Sequence, residues 1–171
     1  MSQALEVRPS PIHGRGVFAT APIAAGSVVH VLHGERLNQI QCGWRILRKR
    51  LHWDDPLQVG RFHFLALDEF SVAFNHGCTP TCGMRAGSEL FALDDITEGA
   101  ELTYDYSMTA RPSVFTRSWR VDCNCGSPAC RGSFGNFDTL PLDSVRRYVD
   151  AGAVQDYMID VARRRCQTLA V

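Results

Sequence analysis

Phe74-Asn75-His76-Gly77-Cys78-Thr79-Pro80-Thr81-Cys82 is the stretch that decides how this 171-residue chain is read. An amide and an imidazole stand side by side among small and apolar residues, with two thiols close behind. Taken alone, such a pair is most simply a buried, hydrogen-bonded couple. Its meaning comes from the flanks. Upstream, Gly14-Arg15-Gly16 leads into Val17-Phe18-Ala19, a glycine turn entering a strand. Such a turn lets a ligand approach the backbone, but it also occurs as a plain turn. Downstream, Glu101-Leu102-Thr103-Tyr104-Asp105-Tyr106 reads as a strand end, where tyrosines are at home.

Farther on, Cys123-Asn124-Cys125-Gly126-Ser127-Pro128-Ala129-Cys130 brings three thiols together, with Gly126 and Pro128 to bend the backbone. Three thiolates at this spacing make a partial cage for tetrahedral zinc. A closed structural site wants four ligands, so the fourth comes from Cys42, Cys78, Cys82, Cys166 or a histidine. A Cys123–Cys125 disulfide is geometrically poor, because strand positions two apart share a face while bridging needs converging Cβ vectors.

Length and composition set the frame. The chain is long enough for one domain with a real core and too short for two ordinary ones. With 45% hydrophobic and 21% charged residues, it is neither disordered nor collagen-like. Eighteen basic and 18 acidic residues give zero net charge, so a charged partner is met by a local patch rather than a global field. That argues against a nucleic-acid partner. The first twenty residues carry Glu6, Arg8 and Pro9 and no continuous apolar core, which speaks against a secretory signal. No apolar run approaches the roughly 20 residues that span a bilayer. The expected setting is intracellular: cytoplasmic in a bacterium, nuclear in a eukaryote.

Short apolar runs broken by glycines fill the first 110 residues and predict a mainly β core. The runs are Val17–Ala19, Ser27–Leu32, Phe62–Leu67, Ser88–Leu93 and Glu101–Tyr104. Two segments depart from this. Trp44, Leu47 and Leu51 stand at helical spacing amid Arg45, Arg48, Lys49 and Arg50, predicting a basic helix. Leu142 to Arg165 also reads as helical, as two helices divided near Gly152, with Asp143 or Asp156 suited to first turns and Arg163, Arg164 and Arg165 to a C-terminus.

The order and distances of the four motifs, G-x-G-V-F-A, F-N-H-x-C-x-P, E-L-T-Y-D-Y and C-x-C-x4-C-R-G, resemble the SET-domain family of protein lysine methyltransferases over about Ile12 to Gly132. The resemblance implies small β-clip-like sheets with a threaded, knot-like crossing, an exception to the usual avoidance of threading. It divides the chain into a SET domain at 1–110 with a variable insert at 37–62, a post-SET zinc-binding segment at 111–134 and a C-terminal helical extension at 135–171. It implies S-adenosylmethionine against the backbone of Gly14, Arg15 and Gly16 and against Asn75, His76 and Tyr104, with Phe134 over the adenine. It also makes Cys78 the fourth ligand of one structural Zn2+ beside Cys123, Cys125 and Cys130. Tyr106 becomes the catalytic tyrosine, and Tyr104 the residue that sets product degree.

The implied reaction is direct displacement by a neutral lysine amine on a methyl carbon. Free lysine has a pKa near 10.4, and a narrow apolar channel favours its neutral form by desolvation. Alignment supplies most of the rate. A Tyr104 hydroxyl holding a water where a further methyl would go predicts mono- or dimethylation. The implied partner is a protein presenting a lysine, a histone or another basic protein among the candidates, with Glu35, Asp68, Glu69, Asp94 and Asp95 as candidates for an acidic groove. Self-association through the C-terminal helices stays open.

Three positions depart from the family pattern: Leu32 where a tyrosine is common, Gly77 where serine is frequent, and Thr81 in place of asparagine after Pro80. They keep a second reading in play, a catalytically weak or silent SET fold that binds protein. A zinc-stabilised nucleic-acid binder using the Arg45–Arg50 patch is a third.

Overall fold

A computed structural model describes residues 5–52, 55–113 and 119–167. The described residues build four small antiparallel sheets, as the glycine-broken runs require. β1 (Leu5–Pro9) pairs with β2 (Arg15–Ala19). β3 (Val28–Val31) pairs with β8 (Glu89–Ala92), which pairs in turn with β7 (Cys82–Arg85). A further sheet places β6 (His63–Leu67) between β4 (Gly34–Asn38) and β5 (Leu57–Gly60). β9 (Arg120–Asp122) and β10 (Ser133–Gly135) form the last pair. The fold is mainly β with few helices, as the sequence predicts. The insert, post-SET and C-terminal ranges include 53–54, 114–118 and 168–171, which lie outside the described residues.

Glu101–Tyr104 is not a strand. Its residues form single bridges to Phe18, His76 and Cys82, because the segment is held between other segments of the chain and not along an edge. The basic helix also differs from expectation. α1 spans Gln39–Leu47, starting earlier because Asn38 and Gln41 form a reciprocal capping box. It ends before Leu51 because Lys49 adopts a positive φ of 54°, which stops helix propagation. The C-terminal segment is two helices, α2 (Leu142–Asp150) and α3 (Ile159–Gln167), divided at Gly152 with φ +68°.

Two apolar clusters support this. One joins the sheets through Val17, Val29, Leu32, Met84, Leu90 and Leu102. The other lies under α2 and α3, where Val145, Tyr148, Val161 and Ala162 pack on Phe91 of β8 and on Met108. Gly83 makes that docking close: a Cβ there would sit 2.8 Å from the Ala153 Cβ and 2.7 Å from Phe91 Cζ. No described helix is long and apolar enough to cross a membrane.

Candidate functional site

The site begins where residues 74–82 pass on both sides of residues 101–105. The Tyr104 N–H donates to the Asn75 carbonyl at 3.2 Å and the Gly77 N–H to the Tyr104 carbonyl at 3.1 Å. On the other flank the Cys82 N–H donates to the Thr103 carbonyl at 2.9 Å. Tyr104 therefore bridges in parallel to both His76 and Cys82. Two of the sequence departures find their reason here. A Cβ on Gly77 would lie 2.6 Å from Thr103 Oγ1, so the β-branched Thr103 occupies the room a serine would need. Thr81 Oγ1 accepts the Thr103 N–H at 3.0 Å, stitching the same two segments.

Asn75 is 5% exposed, and its amide Nδ2 spends its protons on the glycine turn. It lies 3.0 Å from the Arg15 carbonyl, 3.3 Å from the His13 carbonyl and 2.7 Å from Glu101 Oε1. Glu101 also accepts from Ser10 Oγ at 2.8 Å. A Cβ on Gly16 would fall 2.2 Å from the same Glu101 Oε1, so Gly16 is required by a carboxylate. Sequence reasoning quoted Glu101 within a motif but gave it no task, and passed over Ser10. The Arg15 side chain turns away to Glu69, 3.0 Å at the exposed surface.

A cavity of about 1320 Å³ opens beside this crossing. Ile12, His13, Asn75, His76, Tyr104, Tyr106 and Phe134 line it, whereas Gly14, Arg15 and Gly16 do not. One wall is aromatic. His76 stacks on Phe134 with centroids 4.0 Å apart, Tyr104 lies 4.7 Å from Tyr106, and Trp119 meets Phe134 edge-on at 5.9 Å. Tyr106 donates its hydroxyl proton to the Phe74 carbonyl at 2.9 Å. Burial, with Tyr106 adding to it, pushes the Tyr104 phenol well above the usual range and keeps it neutral. Burial also takes His76 down to about 4 against the pull of Asp105, with Arg131 reinforcing the fall. The Tyr106 N–H donates to His76 Nδ1 at 3.2 Å. The proton of the neutral ring therefore sits on Nε2, 3.4 Å from Cys78 Sγ.

Cys78, Cys123, Cys125 and Cys130 bring their sulfurs within 4.8 Å of one another, with Cys78 and Cys123 at 3.6 Å. A tetrahedral centre with metal–sulfur bonds of about 2.3 Å sets sulfurs about 3.8 Å apart, so the four residues fit a zinc-sized ion. The backbone N–H groups of Arg131 and Gly132 point at Cys78 Sγ and Cys130 Sγ, each at 3.4 Å, and such donors favour thiolate. Gly126 supplies the bend with φ +69°. Cys82 is fully buried and packs in the core, with its thiol pushed up by burial to about 12.

Beneath the cluster lies a charge the sequence did not reveal. Asp105, 0% exposed, takes a bidentate Arg131 at 2.8 and 2.9 Å and the Tyr148 hydroxyl at 2.9 Å. One carboxylate thus joins the crossing, the cysteine loop and α2. Leu32 is 1% exposed in the core and does not line the cavity. The expected acidic groove is not assembled. Glu35 pairs with Arg45, Glu69 with Arg15 and Asp94 with Arg147, while Asp68 and Asp95 accept backbone N–H groups from Ser71 and Ala25. The carboxylates that line the cavity are Asp55 and Asp122.

Comparison with known sequences agrees with this geometry. The profile described as SET domain matches residues 14–107. The chain is 32% identical over 147 residues to histone-lysine N-methyltransferase 2B of Homo sapiens, covering 75% of this chain and 5% of that protein. It is 31% identical over 139 residues to histone-lysine N-methyltransferase trithorax of Drosophila virilis, covering 71% and 3%. Over 140 residues it is 33% identical to histone H3-lysine(4) N-trimethyltransferase ATX1 of Arabidopsis thaliana, covering 72% and 12%. The chain spans about an eighth or less of the length of these relatives.

Proposed function

This chain belongs to the SET-domain family, and from that membership we propose that it transfers a methyl group from S-adenosylmethionine to the side-chain amine of a protein lysine. The observation that carries the reading is that one cavity is lined both by the Asn75, His76 and Phe134 wall and by Tyr104 and Tyr106. At about 1320 Å³ it exceeds the roughly 300–1,000 Å³ of a single small-molecule pocket, which leaves room for a cofactor and an entering lysine side chain. The relatives named as histone-lysine methyltransferases support a histone or another basic protein as substrate. The working division is a SET domain at 1–110, a post-SET segment at 111–134 and a helical extension at 135–171.

When bound, S-adenosylmethionine supplies the electrophilic methyl group on its sulfonium. Asn75, His76 and Phe134 would hold it, with the Gly14–Gly16 turn fixed behind them by Asn75 and Glu101. The aromatic wall presents flat apolar faces suited to an adenine. Because the Tyr106 proton is committed to the Phe74 carbonyl, its oxygen faces an incoming amine as an acceptor. It can take an amine N–H and turn the nitrogen lone pair toward the methyl. The apolar lining favours the neutral amine by desolvation. Cys78, Cys123, Cys125 and Cys130 would hold one structural Zn2+, placing Phe134 through the loop that follows Cys130.

Tyr104, neutral and 3% exposed beside Tyr106, supports mono- or dimethylation as the end point. Mass spectrometry of a lysine peptide after exhaustive turnover tests this: mono- and dimethyl products are expected, with Tyr104→Phe moving the end point to trimethyl. Mainly trimethyl product from the unaltered chain, as the name of the Arabidopsis relative describes for that protein, would sink it.

A further inference from the structure

The C-terminal helices lie outside the matched segment, yet α3 and the turn that precedes it bond to the cavity wall. The cavity is lined on one side by Leu57 and Gln58 of β5 and on the adjoining side by Thr109, Ala110 and Arg111. These walls meet in a seam, where the Arg111 N–H donates to Gln58 Oε1 at 3.0 Å. Behind the seam stands Tyr157, at the start of the turn into α3. Its hydroxyl lies 2.7 Å from the Gln58 carbonyl and 2.9 Å from the Thr109 carbonyl, so its single proton serves both walls. The Arg111 guanidinium, 14% exposed, forks onto Asp160 of α3 at 2.6 and 2.7 Å and also reaches the Tyr157 carbonyl. Burial pushes the Tyr157 phenol up, so it stays a donor, and the Arg111 bonds hold the Asp160 carboxyl below its ordinary range despite some desolvation.

We propose that Tyr157 and Asp160 are positioning residues for the protein substrate: by tying β5 to residues 109–111 they fix the width of the cavity on the side formed by β5. Leu57 anchors one end of β5 in the apolar core, with Val59 packed against it, and the seam at Gln58 lies between them. The pairing of β5 with β6 is interrupted by a register shift between Gln58 and Gly60, which weakens a short strand. The cofactor wall of Asn75, His76 and Phe134 shares none of these bonds. Tyr157 and Asp160 therefore act on lysine-peptide binding and not on cofactor binding. This inference rests on the methyltransferase reading above.

The test uses the full chain carrying Tyr157→Phe or Asp160→Asn. Initial rates are measured over a range of a histone H3 N-terminal peptide at saturating S-adenosylmethionine. Binding of S-adenosylhomocysteine is followed by calorimetry, and hydrogen–deuterium exchange is followed at residues 57–60 and 109–113. Loss of one hydrogen bond predicts a rise of about fivefold in the peptide KM and in exchange at both segments, with kcat and S-adenosylhomocysteine affinity within about twofold of the parent. Unchanged KM and exchange overturn the proposal. So does exchange rising equally across the chain, which would show a merely structural role. If the parent chain methylates no peptide, the enzyme reading is what fails, and exchange alone decides the clamp: a rise confined to the two segments upholds it and no rise overturns it.

Discussion

Replacing Arg131 by methionine isolates the buried charge that joins crossing, cysteine loop and α2. Asp105 is 0% exposed and Arg131 16% exposed, so the variant leaves a carboxylate in the interior without its counter-charge. Breaking such a pair from one side costs about 3–5 kcal/mol. Asp105 keeps the Tyr148 hydroxyl and the Ser107 N–H at 2.9 and 3.1 Å, which places the loss at the lower end, about 3 kcal/mol. For a chain of this size each kcal/mol moves Tm by roughly 2–4 °C, giving a fall of about 6–12 °C. Thermal unfolding followed by circular dichroism measures it. The double variant Asp105→Asn, Arg131→Met removes both charges and recovers most of the fall, because a buried pair contributes little net stability against neutral groups. A single variant within about 2 °C of the parent refutes the reasoning, and so does a double variant whose loss equals the sum of the singles.

Three further outcomes follow from the same geometry. Gly77→Ser puts a Cβ 2.6 Å from Thr103 Oγ1 and costs about 1–3 kcal/mol of stability, read by urea unfolding and relieved when Thr103→Ala is added. Metal analysis of the purified chain finds one zinc, and prolonged chelation lowers Tm and abolishes S-adenosylhomocysteine binding, whereas Cys78→Ser retains no stoichiometric zinc. Burial chiefly, then the charge of His33, lowers the pKa of His30 against the pull of Asp68, and none of the described residues bonds its buried Nε2. The unfolded chain therefore takes up this proton first, so stability falls as pH drops below about 6.5. His30→Phe, which keeps the stack on Phe74, reduces the fall of the denaturation midpoint between pH 7.5 and 5.5, and the remainder belongs to His76, whose pKa burial also lowers.

The parts of the site legible in the sequence are those written as local spacing. Cys123, Cys125 and Cys130 announce a cage because a metal imposes close spacing on a loop, and Gly152 marks the break between α2 and α3 because a left-handed position there favours glycine. The illegible parts are pairings across long separations. Asp105 meets Arg131 and Tyr148 only after the cysteine loop and α2 fold back. Glu101 finds Ser10 and Asn75 only once β2 and the crossing are in place. Charge alone could not place Glu35 or Asp94 in a groove, since an arginine elsewhere in the chain claims each of them. The start of α1 was hidden for a different reason: its signal lies in the Asn38–Gln41 cap, outside the apolar spacing of Trp44 and Leu47.

Methyl transfer itself is the decisive measurement. The chain is incubated with S-adenosylmethionine and core histones, and the products are read by intact-mass spectrometry beside a Tyr106→Phe control that retains the fold by circular dichroism. A mass gain of 14 or 28 Da on a histone lysine is expected from the parent, falling about a hundredfold in the control, within the span that loss of one orienting hydroxyl commands. S-adenosylhomocysteine binding without any mass gain on histones or other basic proteins, or equal gains from parent and control, would contradict a methyltransferase built on Tyr106.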